Sequence, residues 1–143
     1  MDNAIVKWVF RILRILLPAS AVAMGTIHGS YMKLVTTEDG QIVETAASYF
    51  VLEGVNIVDF APLACMLLCI AAVGLAIFCA FKETEDHLVW LGHALSIGMV
   101  VDILMMILMS GTILGWCIAL VLGIALTITV LQEMHMERSK KNA

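Results

Sequence analysis

From Phe60 to Phe81 the chain carries no charged side chain at all, and Thr112 to Leu131 is equally uncharged. A helix rises 1.5 Å per residue, so ~20 apolar residues cross a hydrocarbon core of ~30 Å. Two such runs close together leave few alternatives to a chain that folds in lipid. Composition agrees: 62% of the 143 residues are hydrophobic and 14% charged, against about 45–50% and 25% in ordinary soluble domains.

Two further segments reach spanning length. Leu88 to Met109 is apolar apart from His93 and Asp102, and Ser110-Gly111 then marks a tight turn into the fourth segment. Trp8 to Ile27 contains Arg11, Arg14 and Pro18. Lys7, Arg11 and Arg14 fall on one helical face, where their stems can snorkel to the headgroups beside an interfacial Trp8. Ala19-Ser20-Ala21 and Ala21-Val22-Ala23 resemble cleavage sites of secretory leaders. Between Arg14 and Pro18, however, only Ile15-Leu16-Leu17 is available as an apolar core, and the segment is read as a retained span. At the second span, Asp59 is placed to cap the helix start and Pro62 lies in its first turn, where a missing N–H costs little.

Basic residues set the orientation. With the N-terminus inside, Lys7, Arg11, Arg14, Lys82, Arg138, Lys140 and Lys141 are cytoplasmic and Lys33 alone is outside. The outer region, 28–59, instead carries Glu38, Asp39, Glu44, Glu53 and Asp59. Within it Thr37-Glu38-Asp39-Gly40 is a turn signal, and its flanks, Met32–Thr36 and Gln41–Thr45, can pair as a short hairpin. Such a hairpin is marginal alone and must rest on the helices. Residues 48–57 then return along the interface, and the tail, 132–143, prolongs the fourth helix by one or two turns. The expected fold is an all-α membrane protein: a four-helix transmembrane bundle with spans at about 8–27, 60–81, 88–109 and 112–131, a short cytoplasmic loop at 82–87, and a small extracytoplasmic region.

Ser48-Tyr49-Phe50-Val51-Leu52, followed by Phe60-Ala61-Pro62, resembles a segment of uncharacterised small four-span membrane proteins of Firmicutes. The resemblance covers about the first eighty residues and departs at Gly54 and Asp59, in place of proline and asparagine. It implies a bacterial cytoplasmic membrane and no particular chemistry.

Asp102 is the foremost candidate for a functional residue, because an ionisable group inside a span costs about 2.5–3.5 kcal/mol on insertion scales and turns inward. Ala94, Gly98 and Asp102 recur every four residues, which places the carboxylate on a small-residue stripe. Its expected partners are His28 and Thr26 at the end of the first span and Thr112 at the start of the fourth. His93 is on the opposite face of its own helix, ~13 Å away along the axis. Two roles follow for Asp102: fixing helix packing, or coupling to protons or ions. Gly111, Gly115, Ala119, Gly123 and Thr127 form a second small-residue series, and Ala72, Ala76 and Ala80 a third. They serve the bundle or a partner helix.

Other chemistry has little to build on. Cys65, Cys69, Cys79 and Cys117 sit in apolar runs with no C-x-x-C pair, which suits packing rather than disulfide chemistry. Met105, Met106 and Met109 and the Met134-His135-Met136 triplet lack companions for a copper site. The few basic residues form no nucleic-acid patch. We therefore expect no catalytic site, metal or cofactor. Expected partners are the lipid bilayer and either further copies of the chain or a larger membrane complex. The expected role is an accessory, assembly, envelope-stress or immunity factor, with an oligomeric channel or proton-coupled transporter using Asp102 as the alternative.

Overall fold

In the computed structural model, which describes residues 3–50, 60–82, 85–108 and 111–142, the chain is mostly helical with one small sheet. The order is α1 (Asn3–Gly25), β1 (Tyr31–Thr36), β2 (Ile42–Ala47), α2 (Ala61–Phe81), α3 (Glu85–Leu108) and α4 (Ile113–Lys141). Three of the helical stretches, Ala61–Phe81, Asp86–Leu108 and Ile113–Lys141, are long and apolar enough to cross a membrane. Lys7, Arg11 and Arg14 make α1 less apolar, although its 23 residues extend ~34 Å.

Each helix packs on two others: α1 on α2 and α4, and α3 on α2 and α4. The buried positions explain this ring. The seam positions among them are Pro62, Cys65, Cys69, Ala72, Ala76 and Cys79 on α2, and Leu88, Leu91, Leu95, Gly98, Asp102 and Met105 on α3, with Met66, Met106 and Ala119 buried beside the seams. On α4 they are Gly115, Ile118, Leu122, Ala125 and Thr129, and on α1 Arg14, Pro18, Ala21 and Gly25. Every series alternates steps of three and four, the heptad spacing that keeps one seam facing its neighbours in left-handed packing. Ala80 and Ala94 lie only half-buried, on the flanks of these seams.

Polarity is inverted relative to a soluble protein. Arg14 is 1% exposed and Asp102 0%, while Trp90 is 65%, Leu120 65% and Phe81 87% exposed. Ile5, Trp8, Ile12 and Leu16 likewise point outward from α1. Arg14 therefore does not snorkel to the surface as the sequence suggests. It occupies the inward seam of α1, one turn before Pro18.

The expected hairpin forms, with Tyr31 opposite Ala47 through Thr36 opposite Ile42; β1 starts one residue before the expected arm, and β2 is shifted toward the C-terminus, Ile42–Ala47 in place of Gln41–Thr45. Thr37 N–H donates to the Gln41 carbonyl at 2.8 Å, and Gly40 (φ 79°) donates back to Thr37 at 2.9 Å. Only Gly or a short polar residue adopts that φ cheaply. The base of the hairpin is buried through Tyr31 and Ala47, whereas Ile42 and Val43 are exposed. Phe60 takes the cap position of α2 without a side-chain hydrogen bond, and Pro62 is in the first turn. The expected Asp59 cap and most of the 48–57 segment lie outside the described residues. Helix α4 runs ten residues past Leu131, nearly three turns, rather than one or two. Arg138, Lys140 and Lys141 in its last turn complement the helix dipole, and Lys141 pairs with Glu137 at 3.5 Å.

Candidate functional site

The Asp102 carboxylate lies inside the ring, ~9 Å along α3 from Leu108, the end nearest the hairpin. Heptad spacing puts it there: Leu95, Gly98, Asp102 and Met105 share the inward seam. At Gly98 the seam meets both neighbours: a Cβ there would make ordinary contact with Leu68 of α2 at 3.6 Å and Leu122 of α4 at 3.9 Å. The Cys65 thiol donates to the Gly98 carbonyl at 3.5 Å, which places this turn of α2 against the same seam.

Tyr49 supplies the hydrogen bond that Asp102 needs. Its hydroxyl donates to Asp102 Oδ1, and the residue is fully buried. Two contacts aim it: its backbone N–H donates to the Gly25 carbonyl at the end of α1, at 3.0 Å, and its ring meets Tyr31 edge-on at 5.9 Å. Burial raises the Tyr49 phenol above its ordinary value, and the Asp102 carboxylate pushes the same way, so Tyr49 stays a donor. Asp102 Oδ2 has no hydrogen-bond partner among the described residues.

None of the expected partners supplies the hydrogen bond to Asp102. Thr26 and His28 are exposed, and the Thr26 hydroxyl donates back to the Ala23 carbonyl at 2.6 Å. Thr112 caps α4: its hydroxyl oxygen accepts from Gly115 N–H at 2.9 Å and the hydroxyl donates to the Ser30 carbonyl at 2.6 Å. Ser30 in turn donates to the Gly25 carbonyl at 3.3 Å. One small assembly thus ties the end of α1, the hairpin base and the start of α4, with Tyr49 fastening it to α3. Thr112→Val removes the cap and the link to Ser30 together. It is expected to cost about 1–2 kcal/mol, measurable as a lowered unfolding midpoint in detergent.

Small residues divide between two uses. A Cβ on Gly115 would collide with the Met106 thioether, and one on Gly123 would meet Met99 sulfur at 3.4 Å, so both serve α3–α4 contact. Gly111 lies exposed beside the Trp116 indole, 2.9 Å from where its Cβ would be. Ala119, Gly123 and Thr127 also line an apolar groove of about 770 Å³, flanked by Trp116 and Leu120.

This arrangement can hold a helix ring and its cap together, and it offers one oxygen of a buried carboxylate for a proton. Among the described residues no histidine is set against a nucleophile: the Cys65 thiol donates to a backbone carbonyl, and His28 and His93 are exposed. Among the described residues no group of three His, Cys, Asp or Glu side chains converges as a metal site. Sequence reasoning passed over Tyr49, 53 residues from Asp102. The available signal was chemical: the chain has two tyrosines, both near the hairpin, and a buried carboxylate requires a hydroxyl or N–H donor. No family model, curated protein or solved structure matches the chain.

Proposed function

We propose that the chain is a four-span bundle in a bacterial cytoplasmic membrane, with both termini inside. Its role is that of a non-enzymatic accessory or assembly factor, including the envelope-stress and immunity classes, that holds a transmembrane helix of another membrane protein. The observation carrying this is the groove on α3 and α4, lined by Ala119, Gly123 and Thr127 together with Trp116, Leu120 and, from α3, Ile103. In lipid, helices associate where small residues let backbones approach closely, and a groove lined by small residues and large apolar ones suits one further helix. Burial of Arg14 and Asp102 beneath an apolar exterior supports four spans rather than three. The placement of Lys7, Lys82, Lys140 and Lys141 at one end supports the orientation.

A second reading, an oligomeric proton- or ion-coupled device, is favoured by Asp102 Oδ2, buried without a hydrogen-bond partner among the described residues. One set of measurements separates the two. Extracted gently from its own membranes, the wild type should migrate as a complex larger than its 15.6 kDa and contain a different membrane protein. Thr127→Phe, which fills the groove from an exposed position, should release it, and Asp102→Asn should not. Purified chain in liposomes should pass no protons or ions. Flux abolished by Asp102→Asn would replace the accessory reading with the second. A complex indifferent to Thr127→Phe would remove the groove from the account, and a terminal tag reachable from outside intact cells would overturn the orientation.

A further inference from the structure

At the end of the ring opposite the hairpin, α1 and α4 leave two adjoining depressions. One, of about 370 Å³, is walled by Val6, Phe10, Ile128 and Leu131. The other, of about 470 Å³, is lined by Arg11, Ser139 and Lys140 among others. Lys7, Gln132 and His135 border both, so the two are one continuous groove. It changes character along its length. From Leu131 to Ser139 is eight residues, ~12 Å along α4, and over that distance the lining passes from apolar to basic and hydroxylic.

The basic part gathers Lys7, Arg11 and Lys140. Glu137 lies nearby on α4 and pairs with Lys141. Arg11 also stacks over the Trp8 ring, 5.2 Å from its centroid, the kind of aromatic placement that marks a headgroup level. A ligand matching this layering has a negative head, further hydrogen-bond acceptors, and an alkyl chain entering the bundle side.

We propose that this groove binds an anionic phospholipid of the inner leaflet. Its phosphate lies among Lys7, Arg11 and Lys140, with Ser139 and Gln132 as neutral donors, and one acyl chain lies against Val6, Phe10, Ile128 and Leu131. Basic pockets between helices on the cytoplasmic side recognise headgroups in this way. Because α1 and α4 are the first and last helices, such a lipid bridges the two ends of the chain where those helices already pack together. The inference rests on the proposed placement of this end at the inner membrane surface.

Native mass spectrometry of the full chain in detergent, with added phosphatidylglycerol or phosphatidylcholine, tests it. Phosphatidylglycerol should be retained at least tenfold better, and millimolar inorganic phosphate should not displace it. Neutralising the head site in the triple variant Lys7→Gln, Arg11→Gln, Lys140→Gln should erase the preference, while Lys82→Gln, at the C-terminal end of α2 and outside the groove lining, should keep it. Ile128→Trp should weaken retention of phosphatidylglycerol with every charge in place, and a melting curve confirms that each variant is folded. Equal retention of the two lipids, or a preference that survives the triple variant, overturns the proposal. Complete displacement by phosphate also overturns it, since the apolar part would then contribute nothing. A terminus found outside intact cells would refute the orientation instead, and leaves the lipid preference in detergent as a separate result.

Discussion

Tyr49→Phe is expected to destabilise the protein by about 2 kcal/mol, within the ~1–3 kcal/mol that follows when a buried polar group loses its partner. The hydroxyl is the one group donating to Asp102 among the described residues, and Oδ2 is already without a partner. Removing the donor leaves the whole carboxylate unsatisfied inside the ring. Phenylalanine keeps the edge contact with Tyr31 and the backbone bond to Gly25, so the loss isolates the hydrogen bond. Asp102→Leu should also destabilise, since it strands the Tyr49 hydroxyl in a buried site. The two changes combined should cost markedly less than their sum, because neither group is then left unpaired. Unfolding in mixed micelles of rising SDS content measures all four corners of this cycle. Additive effects would show that Tyr49 and Asp102 act independently, and a neutral Tyr49→Phe would show that the hydroxyl contributes nothing.

The hairpin and helices were legible for different reasons. Thr37-Glu38-Asp39-Gly40 announces a turn through local chemistry, and apolar length announces spanning helices; neither depends on the rest of the chain. Seam positions are harder, because in an apolar helix the inward and outward faces have nearly the same residues. The four-residue spacing of Gly111, Gly115, Ala119, Gly123 and Thr127 is conspicuous in the sequence, yet each step of four turns 40° beyond a full revolution. Such a stripe drifts around α4, so Gly115 meets α3 while Thr127 has reached an open groove. The alternation of three and four that does hold a seam is visible on α3 once Leu88, Leu91, Leu95 and Asp102 are aligned, with Ala94 beside it rather than within it. Arg14 shows the same limit. Snorkelling is the default for a cation near a span end, but the α1 seam passes through residue 14, and facing inward avoids lipid as effectively as reaching the surface. Tyr49 was beyond periodicity altogether, since it leaves a strand and joins Asp102 through tertiary structure.

Gly115→Leu is expected to give the largest loss of any single substitution on α4, about 3 kcal/mol, the upper part of the ordinary overpacking range. Gly115 is buried in the first turn of α4. Its missing Cβ is where the Met106 thioether passes, and the Thr112 hydroxyl oxygen stands 2.9 Å from the same point. A leucine must therefore displace both a buried methionine and the residue that caps α4 and holds the Ser30 carbonyl. Thioether chains are flexible, and a rotamer change at Met106 would limit the damage if space existed beside it. Met106 is only 3% exposed and packs in the core with Met105 and Ile118, so little space is free. Shortening the obstructing chain provides the control: Met106→Ala alone should destabilise by leaving a cavity, about 2–5 kcal/mol for a buried methionine. In Gly115→Leu/Met106→Ala the new side chain can fill part of that cavity, and the pair should be more stable than the two single effects predict. Unfolding midpoints of the wild type, both single variants and the pair decide the matter. If Met106→Ala gives no relief, the penalty at Gly115 comes from the Thr112 cap rather than from the approach of α3 to α4.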